Sequence, residues 1–203
     1  MRLFQSLLLG ALFFVAAGES LAEGDAERGK ALSTTCVACH GPDGNSIVGT
    51  FPNIAGQNTK YFVKQMQDMQ TKKRDAPLMM AMQYNFDQQQ LEDIAAWYSS
   101  QTAKVGAADP ELVELGEVIY RSGVKRKQIA ACTACHSPTG QGNGPAAFPA
   151  LSGQWPEYTE AQLKAFRSGE RTNDGDDQMM RLSAMDLSDR EIAAVASYIY
   201  GLH

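Results

Sequence analysis

The sequence predicts an all-α chain built as two helical domains in tandem. Three observations carry this. Stretches about a hundred residues apart resemble each other along most of the chain. Apolar residues near the end of each stretch recur at i, i+3, i+4 and i+7, the spacing of one helix face. Few segments alternate apolar and polar residues as strands do. A length of 203 residues suits one large domain or two small ones.

The elements follow in order. Arg2 precedes an apolar run from Leu7 to Ala17, then Gly18-Glu19-Ser20-Leu21-Ala22. A basic start, a short apolar stretch and small residues before the cut read as a secretory signal peptide. The run is too short to span a bilayer, which takes roughly 20 apolar residues. Residues 1–22 are therefore expected to be removed after Ala22, which places the mature protein in an exported compartment. The first domain is expected over residues 23–103 and the second over 104–203. The link lies near Thr102 to Asp109, and Pro110 suits the first turn of the helix that follows.

Each half reads alike. A short helix leads into a Cys-x-x-Cys-His motif, Cys36 to His40 and then Cys132 to His136. A Gly/Pro-rich loop follows, in which Phe51-Pro52-Asn53-Ile54-Ala55-Gly56-Gln57 matches Phe148-Pro149-Ala150-Leu151-Ser152-Gly153-Gln154. Tyr61 and Gln65 of a middle helix match Tyr158 and Gln162. A Met-bearing loop comes next, then a last helix with Leu91, Ile94, Ala95 and Tyr98 paralleling Ile192, Val195, Ala196 and Ile199. Asp87 with Gln90, and Ser188 with Glu191, stand where an N-cap and its N3 partner belong. Gly116 with Tyr120 gives the Gly-x-x-x-aromatic pattern of a close helix crossing, whereas Gly29 is followed by Ser33.

The two motifs use all four cysteines and two of the three histidines. Cys-x-x-Cys-His is the attachment signature of a c-type haem. The two thiols can add to the porphyrin vinyl groups, and the adjacent His can ligate the iron. A redox dithiol would prefer a βαβ context. A zinc site would explain neither the His after each second Cys nor the methionines below. Two covalently bound haems c are expected, on Cys36, Cys39, Cys132 and Cys135, with His40 and His136 as iron ligands. Such small domains struggle to build a core unaided, and a buried haem supplies an apolar centre. Pro52 and Pro149, each about a dozen residues after its His, offer carbonyls that can accept the other ring N–H.

The far face of each iron decides between carrier and enzyme. Two bis-His haems need four histidines, and the chain has three: His40, His136 and His203. Methionine is the alternative. Met79, Met80 and Met82 form one cluster before a last helix, and Met179, Met180 and Met185 the other. Met66 and Met69 read as packing. Aligning the last helices pairs Met79 with Met180, which are the expected ligands. Shifting by one residue pairs Met79 and Met80 with Met179 and Met180, so the neighbours stay open as alternatives.

Net charge is −5, unchanged by removing Arg2 and Glu19 with the leader. An acidic chain is a poor candidate for nucleic acid or an anionic membrane. Lys125-Arg126-Lys127 with Arg121, and Lys72-Lys73-Arg74, read as solvated loops, with docking or propionate pairing as the lesser reading.

On Cys36–His40, Phe51–Gln57, Leu91–Tyr98, Cys132–His136, Phe148–Gln154, Arg171–Asp176 and Tyr200–His203, the mature chain resembles the dihaem cytochrome c4 family. The resemblance implies two tandem class I cytochrome c domains related by a pseudo-twofold axis, with haem propionates near their interface. It implies His40/Met79 and His136/Met180 ligation. It further implies a monomeric periplasmic electron carrier between a quinol-oxidising complex or dehydrogenase and a terminal oxidase or reductase. Loose membrane association is compatible with it. Two other readings compete. A dihaem peroxidase would need an open iron site and an acid–base residue above it, and the sequence offers a Met-rich segment in both halves and no spare His near either. A sensor would need an output domain, and no residues remain for one.

Overall fold

The computed structural model describes residues 24–80 and 86–203. The expected signal peptide, residues 1–22, lies outside the described residues, and so does Met82. Among the described residues no helix is long and apolar enough to cross a membrane.

The first half contains α1 (Ala26–Leu32), α2 (Val37–His40), α3 (Thr59–Gln70), α4 (Pro77–Met80) and α5 (Gln88–Ser99). The second contains α6 (Val113–Ser122), α7 (Thr133–His136), α8 (Pro156–Ser168), α9 (Met179–Ala184) and α10 (Asp189–Tyr200). The described residues hold no strand, only the isolated bridges Val124–Ile129 and Asn143–Phe148. The expected N-caps are present. Asp87 accepts from the Gln90 N–H at 2.9 Å while the Gln90 side chain returns to the Asp87 N–H. Ser188 and Glu191 do the same for α10.

Three expectations need correction. The methionine segments hold short helices, α4 and α9, not loops; the Arg181 N–H on Asp174 secures the start of α9 at 2.9 Å. Pro110 does not open α6. Asp109 first closes a turn, accepting from the Glu111 N–H with its side chain and from Leu112 and Val113 with its carbonyl. Nor are the basic triplets simply solvated. Arg126 and Lys127 both pair with the buried Glu191 of α10, and Arg74 lies between the halves.

Each half is built on a tight crossing of its first and last helices. A Cβ placed on Gly29 would stand 1.9 Å from the Asp93 carbonyl oxygen, and one on Gly116 would stand 2.2 Å from that of Ala194. Both obstacles are backbone. The missing aromatic after Gly29 is supplied from elsewhere. Tyr120 of α6 is fully buried in the second core, against Tyr198. Its counterpart in the first core is Tyr98 of α5, fully buried against Phe62. Ser33, small enough to leave that space open, turns its hydroxyl back to the Gly29 carbonyl at 2.6 Å.

Around these crossings lie two separate apolar cores. Phe62, Met66 and Met69 of α3 meet Leu91, Ile94, Ala95 and Tyr98 of α5. Ile119 and Tyr120 meet Ile192, Val195, Tyr198 and Ile199 of α10, with Leu187 and Leu202 closing the ends. The link is pinned at both sides. Asn45 holds the Thr102 carbonyl and the Lys104 N–H. Gly106 and Asp109 then donate to the Tyr200 carbonyl and the Ser197 hydroxyl.

Two predictions follow from these crossings. Gly116→Ala forces α6 off α10, because the opposing atom is main chain and cannot rotate away. Overpacking of this kind costs about 1–3 kcal/mol, read as a lower midpoint in thermal unfolding of the haem-loaded protein. The second concerns acid. The Arg28 guanidinium holds the Asp93 carboxyl at about 2. At Glu191 burial alone would raise the carboxyl, but Lys127 and Ser188 outweigh it and hold it at about 2. Both lie below their ordinary values, so their contribution is full above roughly pH 4.5 and fades as pH falls toward 2. Asp93→Asn is expected to remove about 1 kcal/mol at neutral pH, as for an ion pair whose cation is exposed, and to flatten that part of the acid-unfolding curve.

Candidate functional site

Both Cys-x-x-Cys-His motifs adopt one helical turn. The His40 N–H donates to the Cys36 carbonyl at 2.9 Å, and the His136 N–H to that of Cys132 at 2.9 Å. Residues at i, i+3 and i+4 of a helix share a face, so two thiols and an imidazole line up together in each half. All four cysteines are free and half-buried. Burial pushes the Cys36 thiol up, and that of Cys132 up to about 11. These are not the acidic thiols of a disulfide oxidoreductase. Among the described residues no His/Cys/Asp/Glu cluster suits a metal such as zinc.

The chain then reverses through Gly41 (φ +75°) and Ser137 (φ +67°), and the loop returns beside the ring. His40 Nδ1 lies 2.9 Å from the Pro52 carbonyl oxygen, and His136 Nδ1 lies 3.1 Å from that of Pro149. A carbonyl can only accept, so Nδ1 carries the proton and Nε2 keeps its lone pair. Both imidazoles are buried, and that burial lowers their basicity despite the proline carbonyls. A neutral ring with a free Nε2 is what iron requires. The paired thiols and the prepared imidazole therefore fit a covalently held haem in each half.

The methionines are placed unequally. Met79 is half-buried and packs on the first core, which Cys36 also borders. Met180 is half-buried on α9, whereas Met179 and Met185 are 43% and 54% exposed. The Arg181–Asp174 pair, at 2.8 Å, fixes the turn that bears Met180. Met66 and Met69 are buried packing residues, as expected.

Between the two sites runs a polar seam with twofold reciprocity. The Gln154 amide accepts from the Asn53 N–H at 2.9 Å and donates to the Asn53 carbonyl at 2.8 Å. Gln57 does the same to Ala150, at 2.8 and 3.0 Å. The residues preceding α3 and α8 also reach across: Asn58 donates to the Phe148 carbonyl and Trp155 to that of Ser46. Deeper in, Arg74 donates to Gln65, Gln162 and the Tyr158 hydroxyl. Arg171 mirrors it, donating to Gln162, Gln65 and the Tyr61 hydroxyl. Lys64 adds a third cation, and Asp68, paired with it, is the carboxylate of the group. Burial alone would raise the Tyr61 phenol, but the charges of Arg171 and Arg74 outweigh it and lower it.

Sequence reasoning passed over this seam as a functional element. The signal was there: Arg74 and Arg171 stand at the same 97-residue offset as Gln57 and Gln154, Tyr61 and Tyr158, and Gln65 and Gln162.

Known proteins share this chain's fold and much of its sequence. The cytochrome c family matches residues 26–102 and again 120–203. Cytochrome c4 of Azotobacter vinelandii is 51% identical over 92% of this chain and 93% of its own length. That of Pseudomonas aeruginosa is 48% identical over 92% of each. The crystal structure of reduced recombinant cytochrome c4 from Pseudomonas stutzeri superposes with a TM-score of 0.87 at 46% identity, covering 89% of this chain and all of that one. At this identity and coverage, over a chain that carries two Cys-x-x-Cys-His turns, the chain belongs to the cytochrome c4 family of dihaem electron-transfer cytochromes.

Proposed function

We propose that this chain is a periplasmic carrier in which His40 and Met79 ligate one iron and His136 and Met180 the other. Its mature domains would run over residues 23–103 and 104–203. The observation that carries the reading is repeated in both halves. An imidazole spends Nδ1 on a proline carbonyl and keeps Nε2 free. A half-buried methionine stands on a short helix before the last helix of the same half. Bound haem supplies one-electron chemistry at its iron, and a His/Met pair raises the reduction potential relative to bis-His.

The chain's own residues do the rest. His40 and His136 are held in one tautomer through both redox states. The two cores keep water from the rings. If His40 with Met79 and His136 with Met180 hold the two irons, neither iron would keep a place for a substrate, which favours transfer over peroxidase chemistry. The deep cluster of the seam gathers Lys64, Arg74 and Arg171 near the carboxylate of Asp68, and buried unpaired charge is costly. Those cations would suit the haem carboxylates. Donor and acceptor are proposed by class: a quinol-oxidising complex or dehydrogenase, and a terminal oxidase or reductase.

The test is spectroscopic. The oxidised protein should show two low-spin haems with a far-red methionine–iron charge-transfer band. Met79→His and Met180→His should each remove the band of one haem, while Met179→Leu and Met185→Leu leave it in place. The reduced protein should not bind carbon monoxide at neutral pH. Carbon monoxide binding, or a band that survives either histidine substitution, would falsify the corresponding ligand.

A further inference from the structure

The two glutamines of the seam do not grip the opposite loop at an arbitrary point. The peptide unit joining Pro52 to Asn53 has two polar ends. Its carbonyl accepts the His40 Nδ1 proton, at 2.9 Å. Its N–H donates to Gln154 Oε1 of the other half, at 2.9 Å. The peptide joining Pro149 to Ala150 is used identically, between His136 at 3.1 Å and Gln57 at 2.8 Å. Each glutamine is buried at 8% exposure. Each amide is also fixed by donating to the carbonyl of the residue it grips.

We infer that each glutamine is a positioning residue for the iron of the opposite half: Gln154 acts on His40, and Gln57 acts on His136. The inference rests on the reading that these histidines are the iron ligands. The physical chain is short. When a peptide N–H donates a hydrogen bond, electron density shifts toward that peptide's carbonyl oxygen. Hydrogen bonds in series strengthen one another in this way, by about 10–30% per bond. A stronger carbonyl acceptor draws harder on the Nδ1 proton and makes the imidazole a more basic ligand. A more basic ligand favours the oxidised iron. Loss of the glutamine contact therefore raises the potential of the haem in the other half.

The plainer account is that the glutamines merely glue two domains together. It makes a different prediction. Glue loosened at one point disturbs both sides of the seam, whereas a relay through one peptide disturbs one histidine. Trp155→Phe serves as a control, because it removes the bond to the Ser46 carbonyl and leaves both glutamines in place.

The experiment uses the holoprotein in its fully reduced, diamagnetic state, with ¹⁵N-labelled histidine. In the native protein the His40 and His136 ring resonances should carry the ring-current displacement of an axial ligand. If they do not, the ligand assignment fails before any variant is made. In Gln154→Leu the Nδ1 proton of His40 should move upfield, as for a weaker hydrogen bond, while that of His136 stays. Gln57→Leu should give the mirror result. Gln154→Glu keeps an acceptor for the Asn53 N–H while giving up the bond to the Asn53 carbonyl, so its His40 signal should lie downfield of that in Gln154→Leu. In redox titrations Gln154→Leu should raise one midpoint and leave the other, and Gln57→Leu should raise the one left. Equal movement of both histidines in each leucine variant, or movement of the same-half histidine alone, overturns the inference. So does Trp155→Phe if it reproduces the Gln154→Leu pattern.

Discussion

In each half a buried imidazole gives its Nδ1 proton to a proline carbonyl, and much of the architecture is arranged around that bond. Proline suits the task, having no N–H of its own to distract the local backbone. The bond selects the ring tautomer and leaves Nε2 directed away from the loop. It also ties the His-bearing turn to a loop about a dozen residues on. That loop is the one that faces the other half. The contact that prepares the ligand thus also presents the docking surface between domains, and the site and the seam cannot be varied independently.

The helices meet this requirement with little material. Two glycines let the first and last helix of each half approach until main chain touches main chain. Apolar faces of α3 and α5, and of α6 and α10, then close separate cores. One fully buried tyrosine stands in each core, drawn from the last helix in the first half and from the first helix in the second. The volume is kept while its source changes, as expected of a core constrained in filling more than in residue order. Charge is treated with similar freedom. Asp93 joins α1 to α5 through Arg28, and Glu191 joins the segment before α7 to α10. The two ties do the same kind of work at positions that are not equivalent.

Much of this was legible in the sequence. The motifs gave the cysteines and histidines, the helix periodicity gave α5 and α10 with their capping boxes, and distance along the chain gave Pro52 and Pro149 as acceptors. These are local or short-range features, and local rules find them. What escaped notice was long-range. Arg74 sits in a run of three basic residues and looks like surface. Only the fold shows its guanidinium reaching Tyr158 and Gln162. Lys127 looked equally ordinary until Glu191 appeared beneath it. A lone charge in a sequence does not say what lies across from it. The repeat offset, followed residue by residue, marks the paired positions, though not their contacts.

The seam has a history written into its contacts. Gln57 holds Ala150 as Gln154 holds Asn53, and Arg74 and Arg171 exchange the same partners. This is the pattern of an isologous interface, in which one patch meets its own copy. Two unlinked copies of a single ancestral domain could have paired through it before any linker existed. Joining them in one chain removed the obligation to remain identical. Lys64, Asp68 and Asn173 show what that permitted, for they form a bonded cluster on one side of the axis only. At the mirrored positions stand Ala161, Ala165 and Ala76. Fusion turned a symmetric pair into a polar object with distinguishable ends. A carrier with two different ends can acquire a direction.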